Sequence, residues 1–557
     1  MAIRYAVQMS TQLPPLYYLS HFHAVLEWLH QRYSDLLSAE ESGFICAFNG
    51  LSQDSQALAV RMILRRPVML RWPSLHYQEI GNPQSALASL VKLGWVDNDP
   101  AFTIDSLARL ARRDELLAAP WASHLPAATR KQDVITLLHN HFGDNPPPRR
   151  WQEWLPGNAE QWVAFTRQPV IERFKLLYFG NLYQDWSEFV LTDLGQQRYE
   201  QVTIDNSARA FHSRIDIENA EQLHLLGQAI VDGDDLDVVL DCLRSQHGTL
   251  PDFLEARRQK RFFQLGAAAE KQRQWTLAEQ AYQHTEYPGT AFRHTRVLEQ
   301  LERPEAAYQR ACQGLNSPLP DSEHASLRRA LPRLARRAKQ SPPTTAPSSP
   351  WHEETLQLSA PPTGSIEHAA CKALTTTRQS VHYVENNLLC GLFGLLFWDV
   401  IFAPLPGAFF HPFQRGPADL YQPDFCERRQ ELIDRVWASL ADARYADLIQ
   451  QRWQQKYGIA NPFVVWPALS ETLLQQTLAV IPATHLQLCF ARILADRRQH
   501  SRGLPDLLAL DASTASYRLI EIKGPGDRLQ DHQISWFRFF HQHHIPASVC
   551  HVRWEGH

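Results

Sequence analysis

Cysteine is the first thing this sequence has little use for. Its eight cysteines in 557 residues (Cys46, Cys242, Cys312, Cys371, Cys390, Cys426, Cys489 and Cys550) are scattered, form no CxxC pair and stand in no His-x-Cys cluster. That excludes a disulfide scaffold, which is small and cysteine-dense, and indicates no zinc site. The thiols read as reduced, most of them filling cores. Long apolar runs are also missing. The most apolar stretch, Leu388–Trp398 (LLCGLFGLLFW), ends at Asp399 and falls short of the roughly 20 residues that a membrane span needs, so a buried helix is expected there. The N-terminal MAIRYAVQMSTQLPPLYYLSHF has no uninterrupted apolar segment with a small-residue cleavage site. The expectation is an intracellular, cytoplasmic protein with no membrane partner. Charge of one sign is scarce too. The net charge is -4 and the pI about 6.7, a sum that gives no support for a nucleic-acid partner.

What is present is a long, ordinary globular composition, 44% hydrophobic and 20% charged. Single cores stop growing near about 250–300 residues, so several domains are expected. Residues 1–100 read as a mainly helical domain, with a mixed basic and aromatic segment over 61–100 that has room for a winged or helical module. Within 101–145 a helix over Ile104–Ala118 and another over Arg130–Asn140 resemble a SAP-type DNA-binding unit, with Arg130 and Lys131 at the second helix start suited to phosphate. A plain helical hairpin fits the residues equally well. Residues 146–340 read as helical pairs, with a weak echo between Trp275…Tyr282 and Arg303…Ala311 that resembles tetratricopeptide repeats. Residues 251–340 carry sixteen Lys and Arg against ten Asp and Glu, a surplus of six, which leaves the other 467 residues at -10. Arg257 and Arg258 lie in this basic stretch and are further candidates for DNA contact. The Pro/Ser/Thr-rich run QSPPTTAPSSP marks a linker, expected over 341–364. Residues 365–557 then form a separate domain.

The chemistry lies in that last domain. Two short apolar runs, Leu507–Asp511 and Tyr517–Lys523, flank a small polar turn, the pattern of an antiparallel hairpin. If Asp511 pairs with Ser516, Asp506 stands opposite Glu521; a register two residues away remains open. Side chains alternate along a strand, so Glu521 and Lys523 share a face with Leu519 while Ile520 and Ile522 face the other way. Two carboxylates held close together repel unless a cation lies between them, and a hard divalent ion with oxygen ligands is the natural occupant. An ammonium one strand period beyond is placed to orient water or to meet charge on a phosphate. A simply solvated polar face is the alternative for these residues taken alone. His541, His543 and His544 fit helix-end capping better than metal binding, and Trp72, Trp151 and Trp154 fit core packing better than base stacking.

Taken together, RGLPDLLAL and LIEIKGPGDRLQDHQISWFRFF resemble the VRR-NUC branch of the PD-(D/E)xK nucleases over about 60 residues. Upstream, YVENNLLCGLFGLLFWDVIF resembles the first nuclease helix of the Fanconi-associated nuclease family, which joins SAP-type, tetratricopeptide-like and VRR-NUC domains in this order. The resemblance implies mostly α N-terminal and middle parts followed by an α/β PD-(D/E)xK domain. It implies Asp506, Glu521 and Lys523 as the catalytic set. One or two Mg2+ or Mn2+ ions would be held by Glu385, Asp506, Glu521 and the carbonyl of Ile522, with Gln533 supporting the site. Arg528, in the matching DRL, is a DNA-contact candidate. The implied activity is 5′-flap endonuclease and 5′→3′ exonuclease cleavage in interstrand crosslink repair, on flaps and on branched or nicked duplexes. The expected protein is a bacterial-type monomer without the ubiquitin-binding finger of eukaryotic members, acting at the nucleoid. A Holliday-junction resolvase-like nuclease and a non-catalytic DNA-binding scaffold are the alternatives.

Overall fold

Helix caps and a few short strands organise the first of two units, Met1–Gln196 with Arg209–Arg214. The computed structural model describes residues 14–65, 68–143, 145–205, 208–246, 250–341, 351–359, 364–511 and 513–554. In this unit the helices Tyr17–Tyr33, Ala39–Asn49 and Gln53–Ile63 precede a three-stranded sheet. Its central strand, Trp162–Phe165, pairs antiparallel with Met69–Arg71 on one side and Val96–Asp97 on the other. The SAP-like segment departs from the expected single first helix. It breaks into Ile104–Leu110 and Arg113–Leu117 because the Glu115 carboxylate caps the Arg112 amide at 2.6 Å and also takes the Arg71 guanidinium. The second helix is Lys131–Phe142, with Arg130 at its N-cap position and no side-chain capping bond. The expected boundary at 145 is also corrected. Trp151, Trp154 and Trp162, all buried, complete the core made by Phe102, Leu107, Val134 and Leu138, so these later residues belong to the same packing.

The second unit, Gln197–Ala208 with Ile215–His557, holds the remaining helical pairs and the sheet that carries the chemistry. Asp252–Lys271 packs with Trp275–Tyr282, and Thr290–Gln300 with Pro304–Leu315. Small residues let these helices approach, as repeat-like pairs require: Ala291, Ala307 and Ala311 surround Leu327. A long helix, α1 (Asp321–Arg337), closes the series.

The C-terminal sheet has five strands: β1 (His352–Leu358), β2 (Ser380–Tyr383), β3 (Leu507–Asp511), β4 (Ser516–Lys523) and β5 (Ala547–Trp554). Their order is β1-β5-β4-β3-β2, with β1, β5 and β4 mutually parallel and β3 antiparallel to both β4 and β2. β1 corrects the linker expected over 341–364. Seven of those residues form an edge strand in register with Ser548–Trp554, while 342–350 and 360–363 lie outside the described residues. The hairpin register follows the expectation, with Asp511 opposite Ser516 and Leu507 opposite Ile520.

Alternation gives the sheet two apolar faces. Leu507, Ala509, Ile520 and Ile522 pack with Ala370 of α2 (Ile366–Leu374). Leu508, Leu510, Tyr517 and Leu519 join a larger core with α3 (Asn387–Leu396), α4 (Ala483–Ala495) and α5 (Asp531–Gln542). Every residue of α3 from Leu388 to Leu396 is buried, as the apolar run predicts, and among the described residues no single helix is long and apolar enough to cross a membrane. Helix α5 begins four residues later than the expected start near Asp527, because Gly524–Asp527 closes a turn, with the Asp527 amide donating to the Gly524 carbonyl at 3.1 Å.

Candidate active site

Strand β4 ends by turning Glu521 and Lys523 onto the face covered by α5, where both are buried, Glu521 to 1% exposure. The Lys523 ammonium donates to Glu521 Oε1 at 2.8 Å and to Gln533 Oε1 at 3.1 Å. Gln533 fixes its own amide in both directions. Its oxygen also accepts from the Gln530 amide at 2.9 Å, and its Nε2 donates to Glu521 Oε1. An ammonium has three donors, so one N–H of Lys523 stays available to a substrate oxygen or water.

Asp506 stands at the foot of β3, opposite Glu521 by continuation of the register, with its Oδ2 accepting the Ile522 amide at 2.8 Å. Its approach requires Gly503. That residue has φ +79, and a Cβ there would lie 2.3 Å from the His532 ring and 2.9 Å from the His532 backbone carbon. Burial raises the Asp506 carboxyl to about 6, the nearby Glu367 and Glu385 charges adding to the effect while the Ile522 amide opposes it. Glu521 is pushed up to about 8, first by burial and then by the Asp506 charge, against the pull of Lys523.

Glu385 lies just before α3 rather than on it, correcting its expected place on the helix. Its φ of +37 is a strained conformation for a residue with a side chain. Two bonds impose it: the Val384 and Glu385 amides both donate to the Asp506 carbonyl, at 2.8 and 2.9 Å. The loop is thereby folded over Asp506, and Tyr383 Oη donates to Glu385 Oε2 at 2.7 Å. Asn386 ties it to the next segment by accepting the Leu504 amide at 3.0 Å.

The oxygen-rich set fits a hard divalent cation. Glu521 Oε2 is buried without a hydrogen-bond partner, a costly state for a carboxylate oxygen and one that a cation relieves. Among the described residues, no three His, Cys, Asp or Glu side chains already close on one point, and Lys523 donates to the other oxygen of Glu521. Sequence reasoning missed Glu367. It sits on the first turn of α2, behind the Ser365 cap, and its charge reaches both Asp506 and Tyr383. A lone Glu at a helix start carries no signal in sequence; the sheet brings it to the site.

The DNA-contact candidates fall elsewhere. Arg528 is exposed in the turn before α5. Arg258 pairs with Glu255 at 2.9 Å, and Arg257 lies over the Phe253 ring, its guanidinium carbon 5.5 Å from the centroid. In the first unit, Arg130 is exposed and the Lys131 ammonium donates to the Arg109 carbonyl at 3.3 Å. Trp72, Trp151 and Trp154 are core residues, and His541–His544 close the end of α5, with the His543 ring 4.4 Å from that of Phe539.

Comparison with known proteins bears on the same regions. Family models described as "FAN1, HTH domain" and "VRR-NUC domain" match residues 16–97 and 440–554. A Fanconi-associated nuclease 1 homolog of Pseudomonas aeruginosa is 41% identical over 550 residues, covering 98% of this chain and 97% of its own. A homolog from Arabidopsis thaliana is 25% identical, over 98% of this chain and 68% of its own. Among solved structures, one described as paFAN1 bound to 2nt 5'flap DNA with gap superimposes with a TM-score of 0.94 at 40% identity. It covers 98% of this chain and 100% of that one.

Proposed function

The chain belongs to the Fanconi-associated nuclease family, and from that membership and the C-terminal site we propose that it cleaves 5′ flaps and other branched or nicked duplexes, with 5′→3′ exonuclease action, in interstrand crosslink repair. The observation that carries the reading is the buried, unpartnered Glu521 Oε2 on the strand beside Asp506, whose charge acts on Glu521, with Lys523 on the same strand face. Asp506, Glu521, Glu385 and the Ile522 carbonyl would hold one or two Mg2+ or Mn2+ ions. Bound there, such an ion supplies Lewis acidity toward the scissile phosphoryl group and its attacking water.

The residues themselves do the rest. Asp506 and Glu521 offer carboxylate oxygens from two paired strands, a rigid base for in-line geometry. Gln533 holds the Lys523 ammonium in place, so that its remaining donor meets charge developing on the phosphate without reorganisation. Glu385, held by the doubly bonded loop, closes the site from the α3 side. Phosphate contacts position a duplex without reading its sequence, which suits an enzyme selective for structure. We place this monomeric activity in the cytoplasm, at the chromosome.

The test compares wild type with Asp506→Ala and Lys523→Ala on labelled 5′-flap DNA with Mg2+ or Mn2+. Each substitution is expected to lower cleavage at least about 1,000-fold while leaving flap affinity within a few-fold. Unimpaired cleavage by either variant sinks the site assignment.

A further inference from the structure

We propose that α1, the last helix of the repeat-like series, positions the nuclease site by clasping α5, with Arg329 and Asp321 acting through Gln533. The inference rests on the nuclease reading above. Helix α5 buries Trp536, Phe537 and Phe540 in the core and carries Gln533 to Glu521 and Lys523. Apolar burial is non-directional, so it leaves the slide and roll of a helix weakly specified. The Trp536 indole N–H donates to the Arg502 carbonyl at 3.0 Å and Arg492 of α4 donates to Ser535 Oγ at 2.5 Å; the directional contacts on the first turn of α5 come from α1. Asp531, the first residue of α5, receives a two-pronged pair from the Arg329 guanidinium, and Ser326 Oγ donates to its Oδ2 at 3.1 Å. One turn on, Ser535 Oγ donates to Asp321 Oδ2 at 2.6 Å. Arg492 of α4 donates to the same oxygen at 2.8 Å while lying over the Trp536 and Phe539 rings.

Positions 531 and 535 share one side of the helix, and 533 lies on the other. Gripping the outer side at two points one turn apart therefore sets where the Gln533 amide falls on the inner side. Its bonds to Lys523, at 3.1 Å, and to Glu521 are lost to a displacement of about an ångström, while its bond from the Gln530 amide lies within the helix cap and moves with α5. Arg329 itself is 61% exposed, so its pair with Asp531 contributes little to stability. Its effect belongs to geometry, and a fork-shaped guanidinium fixes geometry better than a point charge.

The test uses the full chain and single-turnover cleavage of a 5′-flap duplex in Mg2+, with affinity for the same flap measured in EDTA. Arg329→Ala is expected to slow cleavage about 10-fold, the size of effect that small misplacements give, with affinity within about 2-fold and an unchanged melting temperature. Asp531→Asn, which removes the ionic fork from the other side, should reproduce it, and Arg329→Lys should recover only part of the rate. The decisive arm is Gln533→Ala combined with Arg329→Ala. If α1 acts through Gln533, the double variant is no slower than Gln533→Ala alone. Losses that multiply, a wild-type rate in Arg329→Ala, or a loss carried by affinity overturn the clasp. Absence of cleavage by the wild type overturns the nuclease reading instead.

Discussion

Loading the site with Mg2+ at pH 7 should release about one proton, and Glu521 should be its source. With its carboxyl at about 8, Glu521 is about nine-tenths protonated at pH 7, while Asp506, at about 6, is about one-tenth protonated. A hard cation needs both ionised, so the released protons total about one at pH 7, about 1.5 at pH 6 and close to none at pH 9.5. Isothermal titration with Mg2+ in buffers of different ionisation enthalpy reads this number directly from the dependence of the observed heat on the buffer. Asp506→Asn should leave release near 0.9 proton or lower it, since it also removes the negative charge that helps raise Glu521. Glu521→Gln should bring it to about 0.1. Mg2+ binding at pH 7 with no proton release, or release unchanged in Glu521→Gln, would refute the reasoning that burial and carboxylate repulsion hold Glu521 neutral in the metal-free site.

The same raised carboxyls contribute to the pH dependence of stability. Their contribution is complete below about pH 4, their ordinary range, and is lost as pH rises through about 6 and 8. Metal-free Glu521→Gln should therefore melt above the wild type at pH 8 and show no such advantage at pH 4.5; the reverse order would contradict the assigned direction. In the helical pairs, Gly266→Ala should cost about 2–3 kcal/mol in denaturant unfolding, because its Cβ would meet the Tyr282 ring at 2.5 Å while Glu270 and Arg293 hold that ring. A neutral result would mean the pair opens freely.

Much of the site was legible because a strand period is rigid. Once the turn between Asp511 and Ser516 is placed, alternation puts Glu521 and Lys523 on one face and opposes Asp506 to Glu521. What escaped depends on long-range pairing. The strand β1 (HEETLQL) begins two residues beyond a Pro/Ser/Thr run, has no consecutive apolar residues and pairs in parallel with a strand nearly 200 residues away, so its sequence reads as linker. Trp162–Phe165 is four residues long, too short for periodicity to separate a strand from a helix, and this hid the boundary error at 145. Helix α2 gave no sign that the Glu367 charge acts on the Asp506 carboxyl, since that neighbour is supplied by the sheet. The near-neutral net charge misled for a related reason: it averages a basic helical segment over 251–340 with a surplus of acidic residues in the helices before it.

The central claim is structure-selective cleavage by the Asp506–Glu521–Lys523 site. It is tested most directly by incubating the wild-type protein and Asp506→Ala with a matched panel of labelled 5′ flaps, nicked duplexes and four-way junctions in Mg2+, and mapping the cut positions. The account predicts incision near the base of the 5′ flap in preference to the junction, and none by Asp506→Ala. Symmetric cutting of the four-way junction ahead of the flap, or cutting that survives Asp506→Ala, would contradict it.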